Sequence, residues 1–165
     1  MKSGLTVRSD NYADVLDALN KLSGTDVLVG IPAGPPRDDT PLTNAELGYL
    51  QSTGATVEID GETVTLPPRP FLDMGIEDSR DKTTERLKLA AQSALEGKAD
   101  VAERHLEAAG QIASSASKAV IGAGDRLTPL SEKTKAKRRK NGQDFKPLYD
   151  THSLMDSITY VVRKK

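Results

Sequence analysis

Cysteine and tryptophan are absent from this 165-residue chain, and only four tyrosines and two phenylalanines supply aromatic surface. Without cysteine there can be neither a disulfide nor a thiolate metal site, which suits a reducing cytoplasm. Scarce aromatics leave few rigid anchors for a small ligand, so the core has to be aliphatic, alanine-rich and thin. A dominant charge is missing too: 23 Lys and Arg face 24 Asp and Glu, for a net charge of −1. No apolar run approaches the length of a membrane span, and residues 1–10 lack the apolar segment of a signal peptide. A soluble, single-domain chain without a membrane partner is the expectation.

Catalytic and metal-binding patterns are equally sparse. The two histidines, His105 and His152, have no HExxH spacing around them, and Gly97-Lys98 lacks the rest of a phosphate-binding loop. Gly122-Ala123-Gly124 does not open a helix after a strand and fails the dinucleotide pattern. Asp150, Thr151, His152 and Ser153 bring an acid, a base and a nucleophile together, but catalytic triads are spatial arrangements that neighbours on one backbone rarely achieve. A cap by Asp150 or Thr151 on a short helix holding Leu154 and Met155 explains them better. No enzyme activity, cofactor or metal is expected.

The concentration of charge is more informative than its total. Between Arg126 and Lys146 stand eight Lys or Arg against Glu132 and Asp144, a local net charge of +6. Lys133, Lys135, Lys137, Arg138, Arg139 and Lys140 form its centre and read as a flexible basic arm over 126–147. These side chains can neutralise phosphates without reading sequence, since no aromatic is interleaved to stack on bases. A solvated loop, or a partner for an acidic protein surface, is the competing explanation.

Elsewhere the pattern is that of an α+β domain. Alternation predicts a strand near 4–8, and Tyr12, Val15, Leu16, Leu19 and Leu22 predict a helix over 10–22 with Asp10 as its cap. The apolar run 26–31 reads as a strand buried on both faces. Residues 32–41, rich in Pro, Gly and Asp, read as a protruding loop, either a binding loop or a solvated connector. Thr43 and Glu46 have capping-box spacing and open a helix over 43–52. Two alternating segments, 56–60 and 62–66, flank Asp60-Gly61 and predict a β-hairpin that either continues a sheet or projects as an arm against another chain. Three prolines make 67–70 stiff and extended, delivering Phe71 and Leu72 to the core. Helices follow over 77–96 and 99–121, the second with Val101, His105, Ala108, Ile112, Ala116, Ala119 and Val120 on one stripe. A last strand over 157–163 completes a small mixed sheet packed against this long helical region, in one domain spanning 1–165.

Several short motifs follow one another along the chain: Thr43-Asn-Ala-Glu-Leu-Gly48, the hairpin, Pro68-Arg-Pro-Phe-Leu72, a long helical region, Leu130–Thr134, then Lys146-Pro-Leu-Tyr-Asp-Thr151 and Leu154-Met-Asp-Ser-Ile158. In this order, over roughly residues 27–162, the chain resembles small virion-morphogenesis proteins of tailed bacteriophages, the tail-completion, tail-terminator and head–tail joining proteins. That family carries Gly after the Asp-Thr pair where this chain has His152, a change expected to be tolerated at a helix start.

The resemblance implies a structural protein of the virion, assembled in the bacterial host cytoplasm. It would form a homo-oligomeric ring, a hexamer, at the head-proximal end of the tail. Neck or connector proteins and the tail tube protein would be its neighbours, with genomic DNA passing through the lumen. The basic segment would face that DNA or an acidic neighbour. Pro35, Arg37, Val57, Ile59, Val64, Arg69 and Phe71, from the loop, hairpin and Pro-rich segment, are the expected subunit contacts. A nucleic-acid-binding accessory protein using 133–140 is the alternative.

Overall fold

A computed structural model describes residues 11–59, 61–149 and 152–165, with the side chain of Ile59 outside that set. The elements run α1 (Tyr12–Ser23), β1 (Thr25–Gly30), β2 (Pro36–Arg37), β3 (Thr40–Thr43), α2 (Asn44–Thr53), β4 (Ala55–Ile59) and β5 (Glu62–Leu66). Then come α3 (Phe71–Leu95), α4 (Ala99–Ala123), α5 (Glu132–Lys140), α6 (Ser153–Asp156) and β6 (Thr159–Lys164). The fold is α+β, as the sequence predicts. The strand expected near 4–8 and the Asp10 cap lie outside the described residues.

The expected single mixed sheet does not form among the described residues. Three separate two-stranded antiparallel ribbons take its place: β1 with β6, β2 with β3, and β4 with β5. In the first ribbon Val27 faces Val162 and Val29 faces Tyr160 on the inner side, while Leu28 and Val161 oppose each other outward, 40% and 53% exposed. The run 26–31 is therefore not buried on both faces, since Leu28 points outward. The loop 32–41 is partly ordered, its Pro36–Arg37 pairing with Thr40–Thr43 across an irregular turn.

The spine is an antiparallel helical hairpin of α3 and α4, turned by Glu96, Gly97 and Lys98. Its contact face is made of small residues: Gly75, Ser79, Ala90 and Ser93 on α3, and Ala102, Ala109, Ala113, Ser114 and Ser117 with Leu106 on α4. A Cβ on Gly75 would overlap the backbone of Ser117, and one on Gly110 would overlap the ring of Tyr160 from β6. Close approach thus replaces large apolar area, and dispersion between backbones holds the pair. The buried hydroxyls cost little, since Ser117 Oγ donates to Ala113 O at 3.0 Å and Ser79 Oγ to Gly75 O at 2.9 Å. The buried stripe of α4 lies about one residue round from the expected one. Val101, Ala108, Ile112 and Ala116 flank it half-buried, and Ala119 is exposed.

Large apolar side chains gather at one end of the spine, where Phe71, Val120, Ile121, Leu127, Leu154 and Ile158 form the core. Helix α3 starts at Phe71, six residues before the expected 77, so that Phe71 seats itself in this cluster. The core is thin, as the composition demands.

Candidate functional site

The basic segment is a helix and not a flexible arm. Ser131 caps it, its Oγ accepting from Thr134 N–H at 3.2 Å. Glu132 occupies the first turn and Lys137, Arg138, Arg139 and Lys140 the last, each sign matched to its end of the helix dipole. These signals are present in the sequence, and the density of charge obscures them. After Gly142, at φ 66°, the chain folds back along α5. Arg138 Nη1 donates to Asp144 O at 2.8 Å and Lys146 O at 3.0 Å, and Arg139 lies 5.7 Å over the Phe145 ring.

These contacts divide α5 into two faces. Thr134, Lys135 and Arg138 are half-buried toward the body, whereas Lys133, Lys137, Arg139 and Lys140 are exposed. Lys133 Nζ reaches Glu62 Oε2 of the hairpin at 2.8 Å, and Lys135 Nζ reaches Glu132 Oε1 at 2.7 Å. The ammonium groups beside them hold the Glu62 and Glu132 carboxyls below their usual range. Lys137 and Lys140 make no ion pair among the described residues.

Beneath the hairpin lies an open cavity of about 720 Å³, lined by Val64, Leu66, Arg37, Arg69, Arg138 and His152 among others. Val57 pairs with Val64, and both are half-buried. Of the expected contact residues whose side chains are described, only Pro35 is exposed; Arg37 is half-buried and bonded to Asp39 at 2.9 Å.

Two of the expected subunit contacts are internal. Phe71 is 0% exposed in the core, and Arg69 is 5% exposed. Arg69 donates from Nε to Thr128 O (2.7 Å), from Nη1 to Gln51 Oε1 (3.1 Å) and from Nη2 to Pro129 O (3.1 Å). Burial, and then the nearby Arg138 charge, lower its pKa. The Pro-Arg-Pro-Phe segment is therefore a clamp within the subunit, tying α2 to the 128–129 turn, and offers neither side chain to a neighbour.

The acid–base–nucleophile sequence does not assemble into a site among the described residues. Asp150 and Thr151 lie outside them. His152 precedes α6 in the left-handed region (φ 58°), its ring 4.1 Å from Tyr149 in an edge-on contact. Ser153 Oγ bonds instead with the Asn44 side chain. His105 lies 3.5 Å from Arg86, with no acidic or sulfur neighbours grouped to hold a metal among the described residues. Comparison with known protein families, curated proteins and solved structures finds no match for the chain.

Proposed function

We propose that this chain is a structural subunit of a tailed-bacteriophage virion, forming a homo-oligomeric ring at the head-proximal end of the tail. In this reading it completes or terminates the tail and joins it to the head, with neck and tube proteins as neighbours and DNA passing through the ring. The ordered motifs between residues 27 and 162 suggest the family.

The observation that carries the reading is surplus surface. The chain exposes 11369 Å², against about 7,900 Å² for a compact monomer of 17.7 kDa. Residues 1–10 count toward that total, and at about 1.45 Å² per dalton of bare chain they supply at most about 1,600 Å². The remaining excess, about 1,800 Å², is close to what a ring subunit loses by burying about 800 Å² against each of two neighbours. Exposed apolar side chains are distributed accordingly: Tyr12, Leu16 and Leu19 on α1, Leu28 and Val161 on the first ribbon, Ile76, Leu87 and Leu95 on α3. A ring repeats a contact between two unlike patches, and its function is to fit, so no reaction is assigned.

Electron microscopy of tailed particles bearing a tagged copy tests this reading. The tag is expected at the head–tail junction in every particle. Infectious particles that lack the protein would contradict the proposal. A second reading, an accessory protein that binds nucleic acid, is favoured by the exposed lysines of α5. It predicts a monomer whose DNA affinity falls steeply with salt.

A further inference from the structure

The nearly neutral chain separates its charges. Helix α5 carries six Lys or Arg against Glu132, a net of +5, while residues 71–85 of α3 carry five Asp or Glu against Arg80 and Lys82, a net of −3. Each excess is drawn out as a row on an exposed face. Asp73, Glu77, Asp81 and Glu85 recur every four residues on the side of α3 turned away from α4, all exposed, along about 18 Å of helix. Lys133, Lys137 and Lys140 form a row of about 10 Å on the outer face of α5.

Both rows place like charges at adjacent positions of one face, which weakens a helix unless opposite charge is brought to it. Within the subunit that relief is partial, with Lys82 and Lys88 three residues either side of Glu85. Glu77 pairs with Arg80 and Lys133 with Glu62, whereas Asp73, Asp81, Glu85, Lys137 and Lys140 have no ion pair among the described residues. No ion pair joins α5 to α3 among the described residues either.

We propose that the lysine row of α5 docks on the acidic row of α3 in the next copy of this chain. The two patches are unlike and complementary, so each subunit has one of each to offer and the contact propagates head to tail until it closes. A polyanion such as DNA would be drawn to α5 but repelled by α3, and would leave the acidic row unexplained. This docking rests on the ring reading and names the surfaces that make the ring.

The test compares the full chain with K137E/K140E, D81K/E85K and a chain carrying all four changes. Oligomeric mass is measured by light scattering at 50 mM and 500 mM salt, with circular dichroism as a fold control and a DNA mobility shift alongside. The substitutions lie on exposed faces, and K137Q/K140Q with D81N/E85Q repeat the test with charge removed and not reversed. The expected outcome is assembly of the wild type that weakens at 500 mM salt, since exposed charges are screened beyond a few ångströms there. Each two-site reversal raises the assembly concentration about tenfold or more. An equimolar mixture of the two reversed proteins, and the four-site chain, assemble again.

Wild type and both reversed variants assembling alike would overturn the docking and leave the ring standing. A wild type that stays monomeric at both salts would overturn the ring itself. Unchanged assembly of K137E/K140E with lost DNA binding would assign α5 to nucleic acid.

Discussion

His152 shows how a single residue can carry strain that its neighbours impose. At φ 58° it sits in the left-handed region, where a side chain with a Cβ costs about 1–2 kcal/mol relative to glycine. Glycine adopts this backbone angle without that cost. His152→Gly gives up the edge-on contact with Tyr149 and some unfolded-state order, so a net gain of about 0.5–1 kcal/mol is expected in urea denaturation. Arg69 is the opposite case, a buried cation fully engaged with three oxygens. Arg69→Ala orphans Thr128 O, Pro129 O and Gln51 Oε1, and denaturation should report a loss of about 2–4 kcal/mol. Arg69→Lys should recover only part of it, because one ammonium cannot span the three acceptors.

Element by element, the sequence was legible wherever a local rule decided the matter. Thr43 and Glu46 form the capping box their spacing predicts, with Thr43 N–H donating to Glu46 Oε2 at 2.8 Å. The hairpin pairs Val57 with Val64 around Gly61, which adopts φ 77° as the turn requires. Packing decided the rest. The buried stripe of α4 keeps Val120 but otherwise runs beside the apolar pattern, because small residues, which look weak in an apolar count, mark where α3 comes closest. Gly75→Ala should therefore destabilise by about 1–3 kcal/mol, measured by thermal or urea unfolding, despite the better helix propensity of Ala.

Charge pairing at the helix ends and across elements sets the acid sensitivity. Hydrogen bonds from the Thr43 amide, Lys133, Arg126, Lys98 and Lys135 hold Glu46, Glu62, Asp78, Glu96 and Glu132 below their usual carboxyl range. A carboxyl depressed in the folded state stabilises fully above its unfolded pKa, near 4, and loses that contribution as pH falls through the folded value. The melting temperature should hold from pH 7 to about 5 and decline below it. Asp78→Asn, which breaks the pair with Arg126, should lower the melting temperature at pH 7 and flatten the acid decline.

Taken as a whole molecule, the chain has a core at one end and little to cover the rest. Among the described residues only Phe71, Ile121 and Ile158 are large side chains buried completely. Among the described residues three two-stranded ribbons stand in place of one sheet, and apolar residues on α1, α3 and the first ribbon face outward. Composition foretold the thin core, but sequence could not foretell the three ribbons, because strand partners are chosen by long-range packing that leaves no local pattern. The central claim is that this surplus surface belongs to contacts with other copies. Electron micrographs of the purified full-length protein at low salt test it most directly. The account predicts closed rings of uniform diameter with a central opening, and a field of particles no larger than the 17.7 kDa monomer at every concentration would contradict it.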